Sequence, residues 1–151
     1  MRKQLATAGS IAGIALAACS AQPTAQVAPS ADPLGTTKAA AIEVCMPKGE
    51  RAYLEGLQCD NGEIPRFERY GSVGPRTPYP ATRSKKEQGN LTDRALNDQG
   101  LAPGEADIHV IDAYKLTCGQ QEITLYLDMY HCNREPPKIA PAGFKLREGK
   151  P

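Results

Sequence analysis

The sequence predicts an α+β domain: a C-terminal antiparallel β-hairpin, one short helix and two disulfides. Three observations predict it. Residues 108–117 and 122–130 alternate apolar and polar side chains on either side of Gly119-Gln120. Residues 50–58 set Tyr53, Leu54 and Leu57 at helical spacing. Cys45, Cys59, Cys118 and Cys132 are spread through the region from 42 to 147.

The elements follow in chain order. Arg2 and Lys3 precede residues 5–18, which carry no charge and are diluted by Gly, Ser and Thr. That run suits the hydrophobic region of a signal peptide and is well short of the roughly 20 apolar residues a membrane-spanning helix needs. It ends in Leu16-Ala17-Ala18-Cys19, which resembles the lipobox of bacterial lipoproteins. The resemblance implies that residues 1–18 are a signal peptide removed at the Ala18–Cys19 bond. It also implies that Cys19 carries lipid, whose two or three acyl chains anchor stably where one holds only reversibly. Ser20 stands where Asp commonly retains such proteins in the inner membrane. By that sorting rule the anchor is in the outer membrane of the cell envelope, with the domain facing the periplasm.

Residues 19–41 read as the lipidated Cys and a flexible tether, small, polar and Pro-punctuated, with no apolar periodicity. Stretched out, the segment reaches on the order of 70 Å. The domain is expected over 42–147 and a short tail over 148–151.

Within the domain, Gly49 precedes the predicted helix and Asp60-Asn61-Gly62 follows it. Ile64–Tyr70 reads as a short edge strand, because Pro65 disfavours a central one. Residues 71–105 are rich in Gly and Pro and read as a long loop with at most one helical turn near Thr92–Asn97.

The hairpin is the strongest signal. With Gly119-Gln120 as the two central turn residues, 118 faces 121, 116 faces 123 and 114 faces 125. One face then collects Ile108, Val110, Asp112, Tyr114 and Leu116 with Ile123, Leu125, Leu127 and Met129. The other collects His109, Ile111, Ala113, Lys115 and Thr117 with Glu122, Thr124, Tyr126, Asp128 and Tyr130. A one-residue slip would destroy this partition, so the register parity is determined.

The register also bears on the disulfides. Cys118 sits at the turn and Cys132 lies far along the returning strand, roughly 45 Å away if the strand is straight. Bridged cysteines need Cα atoms within about 7 Å. Local pairing is therefore disfavoured, and so is Cys45–Cys59 across the helix. Cross-pairing remains, with Cys59–Cys118 and Cys45–Cys132 the preferred arrangement. An even set of cysteines suits an oxidising compartment.

Asp112 breaks the apolar face, opposite Leu127, and calls for a partner such as Arg66 or Arg69, or for a bulge that turns it outward. His109 and His131, near Asp107, Asp112 and Asp128, raise a His/Asp metal site or an acid/base pair, but they fall on opposite faces, which predicts diverging side chains and no shared metal. Asp60-Asn61-Gly62-Glu63 lacks the ligand spacing of a calcium loop. Gly71-Ser72-Val73-Gly74 lacks the Lys and Ser/Thr of a phosphate cradle. Neither Gly-x-Ser-x-Gly nor Cys-x-x-Cys is present. No cofactor and no metal are expected. The chain has 18 Lys+Arg and 17 Asp+Glu; losing Arg2 and Lys3 leaves 16 against 17. That balance shows none of the basic excess a nucleic-acid partner requires.

Cys59-Asp60-Asn61-Gly62 leading into Phe67-Glu68-Arg69-Tyr70-Gly71-Ser72, with Tyr126-Leu127-Asp128-Met129-Tyr130-His131, resembles small proteobacterial lipoproteins, a resemblance that implies no activity. The expected function is non-enzymatic binding of an envelope protein partner. The expected surface is Asp112, Tyr126, Asp128, Tyr130 and His109, with nearby Tyr79, because tyrosines supply amphipathic contact area. One alternative is an inhibitor or immunity protein directed at a hydrolase. Another is an envelope hydrolase using Asp112, Asp128 or His109, which requires a concave pocket gathering those side chains.

Overall fold

The computed structural model describes residues 32–79, 81–97 and 105–149. Cys19 lies outside them, as do residues 1–18 and most of the expected tether. In chain order the elements are β1 (Ile42–Glu43), α1 (Met46–Glu55), β2 (Leu57–Cys59), β3 (Arg66–Pro75), α2 (Lys85–Leu96), β4 (Val110–Cys118), β5 (Gln121–Asp128) and β6 (Phe144–Leu146). The main sheet has the order β1-β5-β4-β3, and β2 and β6 form a second, two-stranded sheet. Among the described residues no helix is long and apolar enough to cross a membrane.

The expected hairpin is β4 and β5, with Cys118 paired to Gln121, Leu116 to Ile123, Tyr114 to Leu125 and Asp112 to Leu127. Gly119 takes φ +60° at the first central turn position, the place where a type II′ turn requires glycine. The sheet extends beyond the hairpin. β3 pairs antiparallel along β4, and β1 pairs parallel with β5, Ile42 beside Leu127 and Glu43 beside Asp128. β3 is an edge strand, as Pro65 suggested.

The helix forms four residues earlier than its Tyr-Leu spacing indicated, because Pro47 in the first turn opens it and Gly56 closes it. Glu50, Tyr53 and Leu54 form its buried stripe. Leu54 and Leu57 pack with Ile42, Val44, Leu116, Leu125 and Leu127 in one core, all fully buried. Each such side chain contributes roughly 1.5–3 kcal/mol by leaving water. The disulfides are Cys45–Cys132 and Cys59–Cys118, with Cα atoms 4.4 and 5.9 Å apart.

Two segments differ from the expectation. Packing begins before position 42. Gly35 N–H donates to Ala40 O at 2.7 Å, and Gly35 O accepts from Tyr126 N–H at 2.9 Å. Gly35 takes φ +75°, and a Cβ there would lie 2.8 Å from Ile42 Cδ1, so glycine is favoured where this strap bonds to β5.

The expected loop 71–105 also holds regular structure. β3 continues to Pro75 across two register shifts, with Gly71 at φ +140° and Gly74 at φ +92°. α2 starts at a capping box. Glu87 N–H donates to Ser84 Oγ at 3.3 Å, and Glu87 Oε2 accepts from Ser84 N–H at 2.8 Å. The S-x-x-E signature of that box lies in Ser84–Glu87 and was legible in the sequence.

Candidate functional site

The ladder between β4 and β5 ends at Asp112 and Leu127, and the residues just beyond it build the most concentrated polar site among those described. Two strands of hydrogen bonds redirect the chain there. Val44 N–H donates to Asp128 O, Met46 N–H to Met129 O and His131 N–H to Val44 O, at 2.8, 2.7 and 3.1 Å. Residues 129–131 are thus clipped to 44–46, and Cys45–Cys132 closes the clip. On the other side, Arg76 N–H donates to His109 O and Thr77 N–H to Asp107 O, at 2.8 and 2.9 Å.

The result brings His109 and His131 together, with ring centroids 5.0 Å apart. This corrects the expectation that they diverge. Strand alternation assigns faces only where strands pair, and both histidines lie past the ends of the ladder. Ligand atoms of Asp107, His109, Asp128 and His131 all lie within 4.8 Å of one another. His131 Nε2 is 3.1 Å from Asp128 Oδ2 and 3.3 Å from Asp107 Oδ2. His109 Nδ1 is 3.0 Å from Asp107 Oδ1 and 3.5 Å from Asp128 Oδ2. Both imidazoles and Asp128 are buried.

Arg76 joins them through contacts to Glu43 at 2.9 Å, Asp128 at 3.1 Å and Asp107 at 3.2 Å. Arg134 also pairs with Glu43 from a half-exposed position. Burial works against charge on both histidines, but the carboxylates of Asp107 and Asp128 outweigh it. They raise His109 to about 9 and His131 above its ordinary value. Burial likewise opposes the charge on Asp128, yet the histidines and Arg76 hold it down at about 2, and Asp107 is lowered for the same reason.

A second polar group lies on the opposite, helix-covered face. Asp112 is buried and accepts from Arg69 Nε and Nη2, both at 2.7 Å, and from Ser72 Oγ at 2.8 Å. Arg69 is thus the partner that the pattern break called for. Asp112 and Arg69 line a hollow of about 400 Å³ with Glu50, Tyr114, Phe67 and Met129. Tyr114 Oη donates to Glu50 Oε2 at 2.8 Å, while Glu50 Oε1 is buried with no hydrogen-bond partner. Burial, reinforced by Asp112 and Asp128 and opposed by the Tyr114 bond and Arg69, pushes Glu50 up to about 7.

A raised carboxyl keeps its proton in the fold at pH values where the unfolded chain has lost it. Its contribution to stability is therefore full below the ordinary value near 4.5 and falls away as pH rises to about 7. Glu50→Gln keeps the shape and removes the charge. It should stabilise the protein by about 2 kcal/mol at about pH 8 and change little at about pH 5, read from urea midpoints.

The expected binding surface is thus divided. Asp112, Asp128 and His109 are buried and engaged internally. Tyr130 stacks on His109, centroids 5.2 Å apart. Tyr126 alone of the five opens onto a shallow hollow of about 500 Å³ on the mixed face, with Tyr70, Val73, Lys115, Glu122 and Thr124. Sequence reasoning missed Arg76 and Glu50, and it set Asp107 aside with the His/Asp site that the hairpin register argued against. Glu50 was legible, being a charge on the apolar stripe of a predicted helix; Asp107 was marked by its place near the histidines, and nothing local marked Arg76. No protein-family model, curated protein or solved structure matches the chain.

Proposed function

We propose that this chain is a lipid-anchored envelope protein whose domain acts by binding a partner protein on the mixed face of the hairpin. Cys19 is the anchor, the outer membrane is its seat, and no catalysis is required. The observation that carries the reading is Tyr70, 82% exposed on the edge strand and sharing its hollow with Tyr126. Exposed aromatic anchors flanked by charges, here Lys115 and Glu122, are what protein interfaces use for most of their binding energy.

Crosslinking pull-down from native membranes tests it. Wild type should capture a defined envelope protein, and the Tyr70→Ser/Tyr126→Ser variant should lose it with an unchanged circular dichroism spectrum. Equal capture by both proteins defeats the surface. An unacylated Cys19 in the purified product, read by mass spectrometry, defeats the anchor.

A hydrolase reading has one observation in its favour, the Glu50 carboxyl poised near neutrality in a hollow beside Tyr114. The trio Asp112, Asp128 and His109 does not support it, because Asp112 and the other two lie in separate places.

A further inference from the structure

We propose that Asp107, His109, Asp128 and His131 form a closed binding site for one divalent transition-metal ion of the zinc class. This goes beyond the binding reading and does not depend on it.

Geometry is the first argument. Zinc bonds of 2.0–2.1 Å at the tetrahedral angle place neighbouring ligand atoms about 3.3 Å apart. The four contacts between imidazole nitrogens and carboxylate oxygens measure 3.0, 3.1, 3.3 and 3.5 Å. The donors are His109 Nδ1, His131 Nε2, Asp128 Oδ2 and one oxygen of Asp107, whose Oδ1 faces His109 and whose Oδ2 faces His131, and the ligand atoms all lie within 4.8 Å of one another.

The second argument is an unsatisfied atom. His109 is 2% exposed, and its Nδ1 faces both aspartates without an aligned hydrogen bond. A buried ring nitrogen left without a hydrogen bond costs free energy; a lone pair directed at a metal does not.

Charge is the third. Glu43, Asp107 and Asp128 face a single well-buried guanidinium, Arg76. With neutral imidazoles Glu43, Asp107 and Asp128 outnumber Arg76 and the half-exposed Arg134, a net negative charge that a dication offsets.

The outer contacts are those a metal centre needs to orient its ligands. Asp107 Oδ1 accepts from His109 N–H at 3.0 Å, Asp128 Oδ1 accepts from Tyr130 N–H at 3.1 Å, and Arg76 rests on both carboxylates. Two imidazoles and two carboxylates select zinc-like ions over calcium or magnesium, which require more oxygens. Four protein ligands leave no open position, so the ion's role is structural. It would tie the 129–131 clip and residues 107–109 together.

The test uses the full chain with both disulfides intact. At near-neutral pH, dialysis against zinc followed by elemental analysis should give one ion per chain. Cobalt should give the intense visible bands of a tetrahedral site. His131→Gln and Asp107→Asn should each weaken zinc binding by roughly 100-fold or more. If a variant fails to fold, imidazole nitrogen NMR of wild type decides. Loss of a ring proton from both histidines on adding zinc supports the site. Two doubly protonated imidazoles in excess zinc, or no stoichiometric ion, would overturn it.

Discussion

Reduction of both disulfides should unfold the domain outright under conditions where the oxidised protein is stable. The bridges span 59 and 87 positions, and the chain-entropy model assigns each about 4–5 kcal/mol. A domain of this size has only about 5–15 kcal/mol of net stability, so losing both leaves little or nothing. The two are not equivalent, and loop length does not distinguish them, because entropy grows only logarithmically with length. Position does. Cys59 and Cys118 both lie in the core, so replacing them with alanine adds a cavity to the lost constraint. Cys45–Cys132 instead closes the clip that carries His131. Cys59→Ala/Cys118→Ala should therefore show the larger drop in urea midpoint. Cys45→Ala/Cys132→Ala should show the larger rise in amide exchange at Met46 and His131, whose N–H groups close that clip. Similar exchange at those amides in both variants would refute the distinction.

Arg76→Met should cost about 3–5 kcal/mol, the usual consequence of leaving buried charge uncompensated. Arg76 has a side chain only 12% exposed and contacts Glu43, Asp107 and Asp128. Methionine fills much of the space but supplies no charge, and the carboxylates are left facing one another. Lys115→Met is the internal control. Lys115 and Glu122 form an ion pair with both partners about half exposed, and such pairs contribute about 0–1 kcal/mol. Added salt should erase the small effect at Lys115 and leave the loss at Arg76 nearly unchanged, since buried charges are screened little. Equal losses in the two variants would show that Arg76 does not hold the centre together.

Much of the fold was legible because it depends on local pattern. The two faces of the hairpin differ in polarity over the whole ladder, so only one register parity keeps Leu116, Leu125 and Leu127 on one side. That register puts Cys118 and Cys132 far apart, and the cross-paired disulfides follow. Asp112 stood out because it violated the same pattern, and Arg69 answers it. The Ser84–Glu87 box was readable too, but the surrounding Gly and Pro drew the segment toward a loop. The strap at Gly35 was less readable, since its close fit depends on Ile42 beneath it and not on its own composition.

By itself the sequence determined the elements whose physics is periodic or covalent: the hairpin and its register, the helical stripe and the even set of cysteines. The Asp107–His109–Asp128–His131 centre was decided by tertiary structure alone. Asp107, His109 and His131 lie past the last paired rungs of the hairpin and Asp128 is paired with Glu43 of β1, so the clip at Val44–Met46 and the contacts around it set their direction. Arg76 comes from a strand extension whose pairing no local signal announces. Periodicity states which way a side chain points inside a ladder; beyond its end, only the contacts of the folded chain do.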